Sequence, residues 1–365
     1  MQRAAESLSY APKGVSVRFL RRPLFWIGLL ISLGALFLAF RGLRVSEVAD
    51  GLAEANYFLV ATSLGVQLVV IYLKAIRWSL LFRPLSAPRM GTLIGTMNLG
   101  YLINNVLPLR VGELVRAYVA GEVEGISKTR VLVTVGAERL LDTLTVVAFL
   151  AILLPFVDVP QWAARPAFIL GLALVLVTLG LVAIARRRDR ASALLGWGVR
   201  LVPERFRERA LGIGETVLDG LSIFARPWLG LLLVAWSLVV WMLAVLFYYL
   251  VMLAFDLDVP FSAAIFVMSA TALGMVIPSS PGYIGVFHAI TIESLVGVFG
   301  VARSDAQSYA LVQHASSYVL TTALGLAYIW RAGLSWGAVR VSMGSAPGVG
   351  EVAGGPSDAT HRLPG

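Results

Sequence analysis

Apolar positions along this chain gather in long uncharged blocks separated by short polar connections. The blocks cover residues 23–40, 55–73, 90–109, 166–185, 227–255 and 259–287. At 1.5 Å per residue, each is long enough, or nearly so, to cross roughly 30 Å of hydrocarbon as a helix. Two blocks are broken. The one ending at 109 carries Pro108 and then Gly112, and the one ending at 287 holds Pro278, Pro281, Gly282 and Gly285 where a spanning helix should continue. Proline removes a backbone donor and glycine loosens the backbone, so both segments are expected to enter the membrane, turn and leave on the same side. The expected fold is an all-α polytopic membrane protein. Six full spanning helices are placed near 23–40, 57–82, 126–155, 166–185, 228–255 and 306–330, with two re-entrant broken hairpins near 90–123 and 260–300.

Charge fixes the expected orientation. Arg3, Lys13, Arg18, Arg21 and Arg22 precede the first block, and a second basic cluster runs from Arg186 to Arg226. By the positive-inside rule both are cytoplasmic. The connections with Glu47, Asp50 and Glu54, with Asp158, and with Asp256 and Asp258 then face outward. These signs close only if the two hairpins enter from opposite sides, which is an inverted repeat in topology. The expected layout is a cytoplasmic arm at 1–22, one transmembrane domain at 23–332, and a disordered Gly- and Pro-rich tail at 333–365. The domain divides into halves at 23–185 and 228–332 around a basic connector at 186–227. Both termini lie in the cytoplasm. Between Leu194 and Phe224 the connector alternates apolar and charged residues, as a helix lying on the inner leaflet would.

Composition agrees with a bilayer as solvent: 58% of residues are hydrophobic, 14% are charged, and the mean hydropathy is +0.82. Cysteine is absent, which removes disulfides, thiolate metal sites and cysteine nucleophiles. The net charge of +9 sits in segments flanking apolar blocks, so it implies topology and not nucleic acid. No small-residue cleavage site lies in Phe37–Arg44, so the first block is read as a retained helix. No metal or cofactor is expected.

Candidate chemistry lies at the breaks and in one charged span. After Pro108, a helix starting near Gly112 would aim its free N–H groups into the membrane as an anion site. Asn104, Asn105 and Arg110 lie beside that start, and Glu113 and Arg116, three apart, share a face and can pair. The alternative is that these charges snorkel to an interface. Glu138, Arg139 and Asp142 fall near the middle of a span, where each charge against lipid costs about 3 kcal/mol, so they must face inward. Thr134, Glu138, Asp142 and Thr145 share a stripe at helical spacing. That stripe is equally a structural ion pair or a substrate contact, with Glu138 or Asp142 as a coupling carboxylate. At the second break, Ser279, Ser280, Gly282 and His288 are the candidate contacts, and His314 lies in the last helix. Lys74, Arg77 and Glu293 read as interfacial.

Three of these motifs occur in an order that resembles a known family: Leu-Pro-x-Arg-x-Gly-Glu-x-x-Arg ending at Arg116, Glu138-Arg139-x-x-Asp142, and Pro278-x-x-Pro281-Gly282-x-x-Gly285. They are similar to the flippase-like integral membrane proteins related to the transmembrane region of lysylphosphatidylglycerol synthase, over residues 24–332. The resemblance implies a prokaryotic inner-membrane protein whose synthase-linked relatives move aminoacylated phospholipid between leaflets. Members often carry Glu where this chain has His288, and no aminoacyl-transfer domain is expected after Arg331. The expected function is translocation of an anionic or zwitterionic lipid, a phospholipid or a polyprenyl-phosphate-linked one, without enzymatic activity. The lipid is substrate, and a second copy or envelope-synthesis enzymes are the partners left open. A proton-coupled small-anion transporter, an intramembrane lipid-phosphate transferase and a scaffold for envelope synthesis are the alternatives.

Overall fold

The computed structural model describes residues 23–83, 86–107, 110–153, 155–157, 183–221, 226–275 and 279–333, with isolated positions between 169 and 180. The arm at 1–22, most of the span expected at 166–185, Pro108, Pro278 and the tail beyond 333 lie outside the described residues. Every regular element described is helical. In chain order they are α1 (Pro23–Phe40), α2 (Val45–Glu54), α3 (Tyr57–Leu80), α4 (Met90–Val106), α5 (Gly112–Glu124) and α6 (Lys128–Leu153). There follow α7 (Arg188–Val199), α8 (Glu204–Leu221), α9 (Pro227–Ala254), α10 (Phe261–Gly274), a 3-10 turn (Pro281–Tyr283), α11 (Val286–Phe299) and α12 (Arg303–Arg331).

Among the described residues, Tyr57–Leu80, Trp228–Ala254 and Pro281–Phe299 are long and apolar enough to cross a membrane. A fourth candidate is the pair Leu29–Phe40 and Val45–Glu54, bent by 81°. The segments α6 and α12 have the length for a crossing, 26 and 29 residues, but each buries a polar stripe that lowers its apolar character.

Both broken segments fold back as helical hairpins. In the first, Arg89 and Glu124 pair at 3.0 Å at the base, and nearer the tip the Arg116 side chain lies against Gly100. A Cβ on Gly112 would overlap the Gly100 carbonyl oxygen, so the two arms close only because position 112 carries no side chain. In the second hairpin, Phe266 and Phe299 meet at 5.9 Å near the base, and Gly274 packs on Ile290 toward the tip. Gly285, at φ +93°, presses against the Ser32 carbonyl of α1, a place no side chain could occupy. The Arg89–Glu124 pair is 61% exposed on its arginine side, so Arg89→Ala should cost less than about 1 kcal/mol in a chemical unfolding titration.

Packing joins the hairpins to the long helices. The helices α3 and α9 lie along each other, α4 packs on α12, and α10 packs on α6. Each hairpin's second arm then packs on the helix that follows it, α5 on α6 and α11 on α12. The apolar core forms clusters around these contacts, one built on α3, α4, α5 and α6 and another on α9, α10, α11 and α12.

Two expectations are corrected. The acidic connection at 45–54 is an amphipathic helix, α2, whose Val48 is buried and whose Gly51 abuts Ser308 of α12. The connector expected as one surface helix is two, because Pro203 lacks the N–H a continuing helix needs, and the chain turns over Arg200–Pro203. Those two helices pair through Ser192 and Glu215 at 2.7 Å and through Arg188 and Asp219, leaving Leu194, Trp197 and Leu201 exposed.

Candidate functional site

Helical spacing assembles the charged groups. On α3, Gln67, Lys74 and Arg77 follow one stripe, and on α6 Glu138 and Asp142 stand one turn apart. Packing α5 and α6 beside α3 brings these stripes together as an alternating ladder of seven charges: Arg116, Glu138, Arg77, Asp142, Arg139, Glu113 and Arg110. At its buried end the bonds are short. Arg116 donates to Glu138 at 2.9 Å, and Arg77 donates to Asp142 at 2.6 Å and to Ser237 at 3.0 Å, with Glu138 at 3.7 Å. Trp241 donates to Asp142 at 2.9 Å, Trp78 donates to Thr134 at 3.0 Å, and the Arg116 guanidinium lies 4.8 Å over the Trp78 ring.

The other end of the ladder is loose. Arg139 stands 3.7 Å from Asp142 and 3.5 Å from Glu113, and Arg110 stands 3.8 Å from Glu113. None of these is a hydrogen bond, and the Nε atoms of Arg110 and Arg139 have no acceptor among the described residues. Exposure follows the same gradient: the side chains of Arg77 and Arg116 are 0% and 2% exposed, those of Arg139 and Arg110 32% and 35%.

The loose end opens into a cavity of about 260 Å³ lined by Asn104, Asn105, Arg110, Glu113, Arg139, Asp142 and Gly282 together with Lys74, Trp241, Gln313 and others. Lys74 lies over the Trp241 ring at 5.0 Å. Of the charges that line the cavity, Lys74, Arg110 and Arg139 outnumber Glu113 and Asp142 by one. A low-dielectric site with that excess favours an anion.

The tips of the two hairpins meet at this cavity. Arg110 and Tyr283, one from each break, both hold the left-handed backbone region at φ +53° and +59°, and the guanidinium lies 5.7 Å over the tyrosine ring. Such backbone costs of order 1–3 kcal/mol and persists only where surroundings enforce it. Here the enforcement is visible. Asn105 donates to Thr321 and Thr322 of α12 at 3.2 and 2.9 Å, Tyr318 donates to the Asn105 carbonyl at 3.2 Å, and His314 bonds the Gly282 carbonyl at 2.9 Å.

Several expected contacts differ in the structure. The first N–H of α5 is not free, because Gly112 donates to the Asn104 side chain at 2.8 Å, and Asn104 in turn donates to Glu113 at 3.3 Å. Attraction for an anion therefore rests on the arginines. Glu113 and Arg116 do not pair: they reach different partners, Arg139 and Arg110 for the first and Glu138 for the second. Arg116 and Glu138 stand behind the cavity wall. Ser279, Ser280 and His288 lie outside the lining: the Ser280 N–H donates to the Ser32 hydroxyl of α1 at 2.7 Å, and His288 packs between Phe40 and His314. Pro281, Gly282 and Gly285 shape the second turn. Glu293 bonds Arg303 at 2.9 Å, away from the cavity. Arg77 and Lys74, read as interfacial, belong to the ladder and the cavity; their common stripe with Gln67 was the available signal. Among the described residues no group of three or more His, Cys, Asp or Glu is placed to hold a metal.

Comparison with known proteins agrees with the helical membrane architecture. A family described as the lysylphosphatidylglycerol synthase TM region matches residues 25–325. Two proteins of Methanothermobacter thermautotrophicus, each called a UPF0104 membrane protein, are similar. One is 28% identical over 82% of this chain and 94% of its own length, the other 25% identical over 77% and 85%. The glycosyltransferase AglD of Haloferax volcanii is 26% identical over 86% of this chain, and the similarity covers 55% of AglD. These similarities and the apolar helices make the chain a multi-pass membrane protein.

Proposed function

Because the chain belongs to the family of the lysylphosphatidylglycerol synthase transmembrane region, we propose that it carries a lipid with an anionic phosphate group between the leaflets of the membrane. The observation that carries this reading is the charge ladder, tight where it is buried and loose where Arg110 and Arg139 border a cavity lined by three cations against two carboxylates. A phosphate entering there takes the place of Glu113 between the two guanidiniums, which offer it the planar fork that suits phosphate oxygens. A cavity of about 260 Å³ holds one headgroup, so the hydrocarbon tail stays in the bilayer. Glu138 and Asp142 are held in the buried end, where they brace the site.

Transport across the membrane calls for a site that both sides can reach. The packing supports an inverted repeat of residues 23–185 and 228–332. Exchanging α3 to α6 with α9 to α12 maps α4 on α12 to α10 on α6, and α5 on α6 to α11 on α12. Hairpins entering from opposite sides of an inner membrane, among six spanning helices and with both termini cytoplasmic, would put their tips near the midplane. The name of the AglD relative, a glycosyltransferase, supports a setting in envelope or glycan synthesis and a lipid-linked phosphate as cargo. The lipid crosses without covalent change.

The test is leaflet exchange in vesicles that hold the purified protein. A labelled lipid phosphate should exchange several-fold faster than in protein-free vesicles and keep its mass. Exchange no faster than the background rules the proposal out, and a new covalent product points to a transferase instead.

A further inference from the structure

The cavity has two chemically different walls. Every carboxylate, lysine and arginine that lines it comes from α3, the turn at Arg110, α5 or α6. The wall contributed by α9, α10, the Pro281–Tyr283 turn and α12 carries no carboxylate, lysine or arginine among the described residues; it offers neutral hydrogen-bonding groups and aromatic rings beside aliphatic residues such as Met268 and Leu273.

Gln313 marks the second wall. It is 1% exposed, and although it neighbours the Tyr248 hydroxyl, neither its Nε2 nor its Oε1 has a hydrogen-bond partner in bonding geometry. A buried amide with both ends unmet is costly, and it calls for a ligand that donates and accepts at once. An ammonium only donates. A phosphate or carboxylate only accepts. A hydroxyl does both. Ser317 lies one turn along the same helix and lines the same wall, and Tyr283, Phe287 and Tyr318 add ring faces suited to the C–H face of a saturated ring.

We propose that this wall is a subsite for a neutral polyhydroxyl group, a sugar or polyol, joined to the phosphate that Arg110 and Arg139 receive. The proposal rests on the reading of the cavity as a lipid-phosphate site and names its cargo as a glycosyl- or polyol-phospholipid. An aminoacylated headgroup fits less well, because its ammonium would add a cation to a cavity whose lining already carries three cations against two carboxylates.

The experiment measures binding to the full chain in lipid nanodiscs with a hexosyl-phosphopolyprenol, a bare polyprenyl phosphate and lysyl-phosphatidylglycerol. The hexosyl lipid should bind about tenfold tighter than the bare phosphate, the effect of one to two neutral hydrogen bonds. Gln313→Leu should erase that preference while leaving bare phosphate binding within about twofold, because the phosphate is held on the opposite wall. Ser317→Ala should reduce the preference in the same direction, and it decides the matter if Gln313→Leu does not fold. Equal binding of the first two lipids, tightest binding of the lysyl lipid, or equal weakening of all three by both variants overturns the subsite while the phosphate reading stands. Failure of all three to bind overturns both.

Discussion

Arg77→Ala is expected to lower the unfolding free energy by about 3–5 kcal/mol, the typical cost of removing one partner from a buried ion pair. Arg77 is 0% exposed and serves three groups at once: Asp142 at 2.6 Å, Ser237 at 3.0 Å and Glu138 at 3.7 Å. Without it, Asp142 keeps only the Trp241 indole as a hydrogen-bond partner at 2.9 Å, and its neighbour Glu138 keeps Arg116. The one cation left beside Asp142 in the ladder is then Arg139, at 3.7 Å, too far for a hydrogen bond. Arg77→Lys should recover part of the loss, since it restores the charge but not the fork that reaches Asp142 and Ser237 together. Guanidinium or urea titration in detergent, scored on helix content, gives the comparison. A variant as stable as wild type would mean that the ladder is not a structural brace.

Arg110→Ala should slow leaflet exchange of a lipid phosphate by roughly 10- to 150-fold, corresponding to the loss of about 1.5–3 kcal/mol of charge-assisted hydrogen bonding to the moving group. Stability should change far less, by under about 1 kcal/mol, because the Arg110 side chain is 35% exposed and its pairing with Glu113 is long at 3.8 Å. The separation of the two effects is the point: Arg77 sits in the buried part of the ladder and Arg110 at its open end, so the proposal assigns the fold to one and the cargo to the other. Arg110→Lys should regain part of the rate through charge alone. If Arg110→Ala exchanges lipid as fast as wild type, the site lies elsewhere even though the transport reading survives.

Much of the architecture is legible in the sequence, for physical reasons. An uncharged run of about 20 residues has few choices but a spanning or buried helix, and α1, α3 and α9 follow their blocks closely. Proline and glycine inside such a run mark a break, and both breaks are hairpins. The second basic cluster was also recognised, but its split at Pro203 was not, because alternating apolar and charged residues look the same in one helix or two. The short helix α2 was missed because Glu47, Asp50 and Glu54 dominate a stretch whose single buried residue is Val48.

The site was half legible. Arg110, Glu113, Arg139 and Asp142 stood out because charge beside a break or within a span is expensive. Arg77 did not, since an arginine near the end of an apolar run resembles one that snorkels to water. Only the packing of α9 against α3, which brings Ser237 to its guanidinium and Trp241 to the Asp142 it pairs with, shows otherwise. Gln313 was silent for the same reason: nothing local distinguishes an amide on a wet face from one left unmet beside a cavity. His288, prominent because it stands where a carboxylate was expected, packs among Phe40, Phe287 and His314 instead.

The central claim is that a lipid's phosphate sits between Arg110 and Arg139 in the cavity where the two hairpin tips meet. Its most direct test is a structure of the full chain in nanodiscs that contain a lipid phosphate. The account predicts phosphate density within hydrogen-bond distance of both guanidiniums, with Glu113 moved away from them. A headgroup seated elsewhere, with Glu113 still between the two arginines, would contradict it.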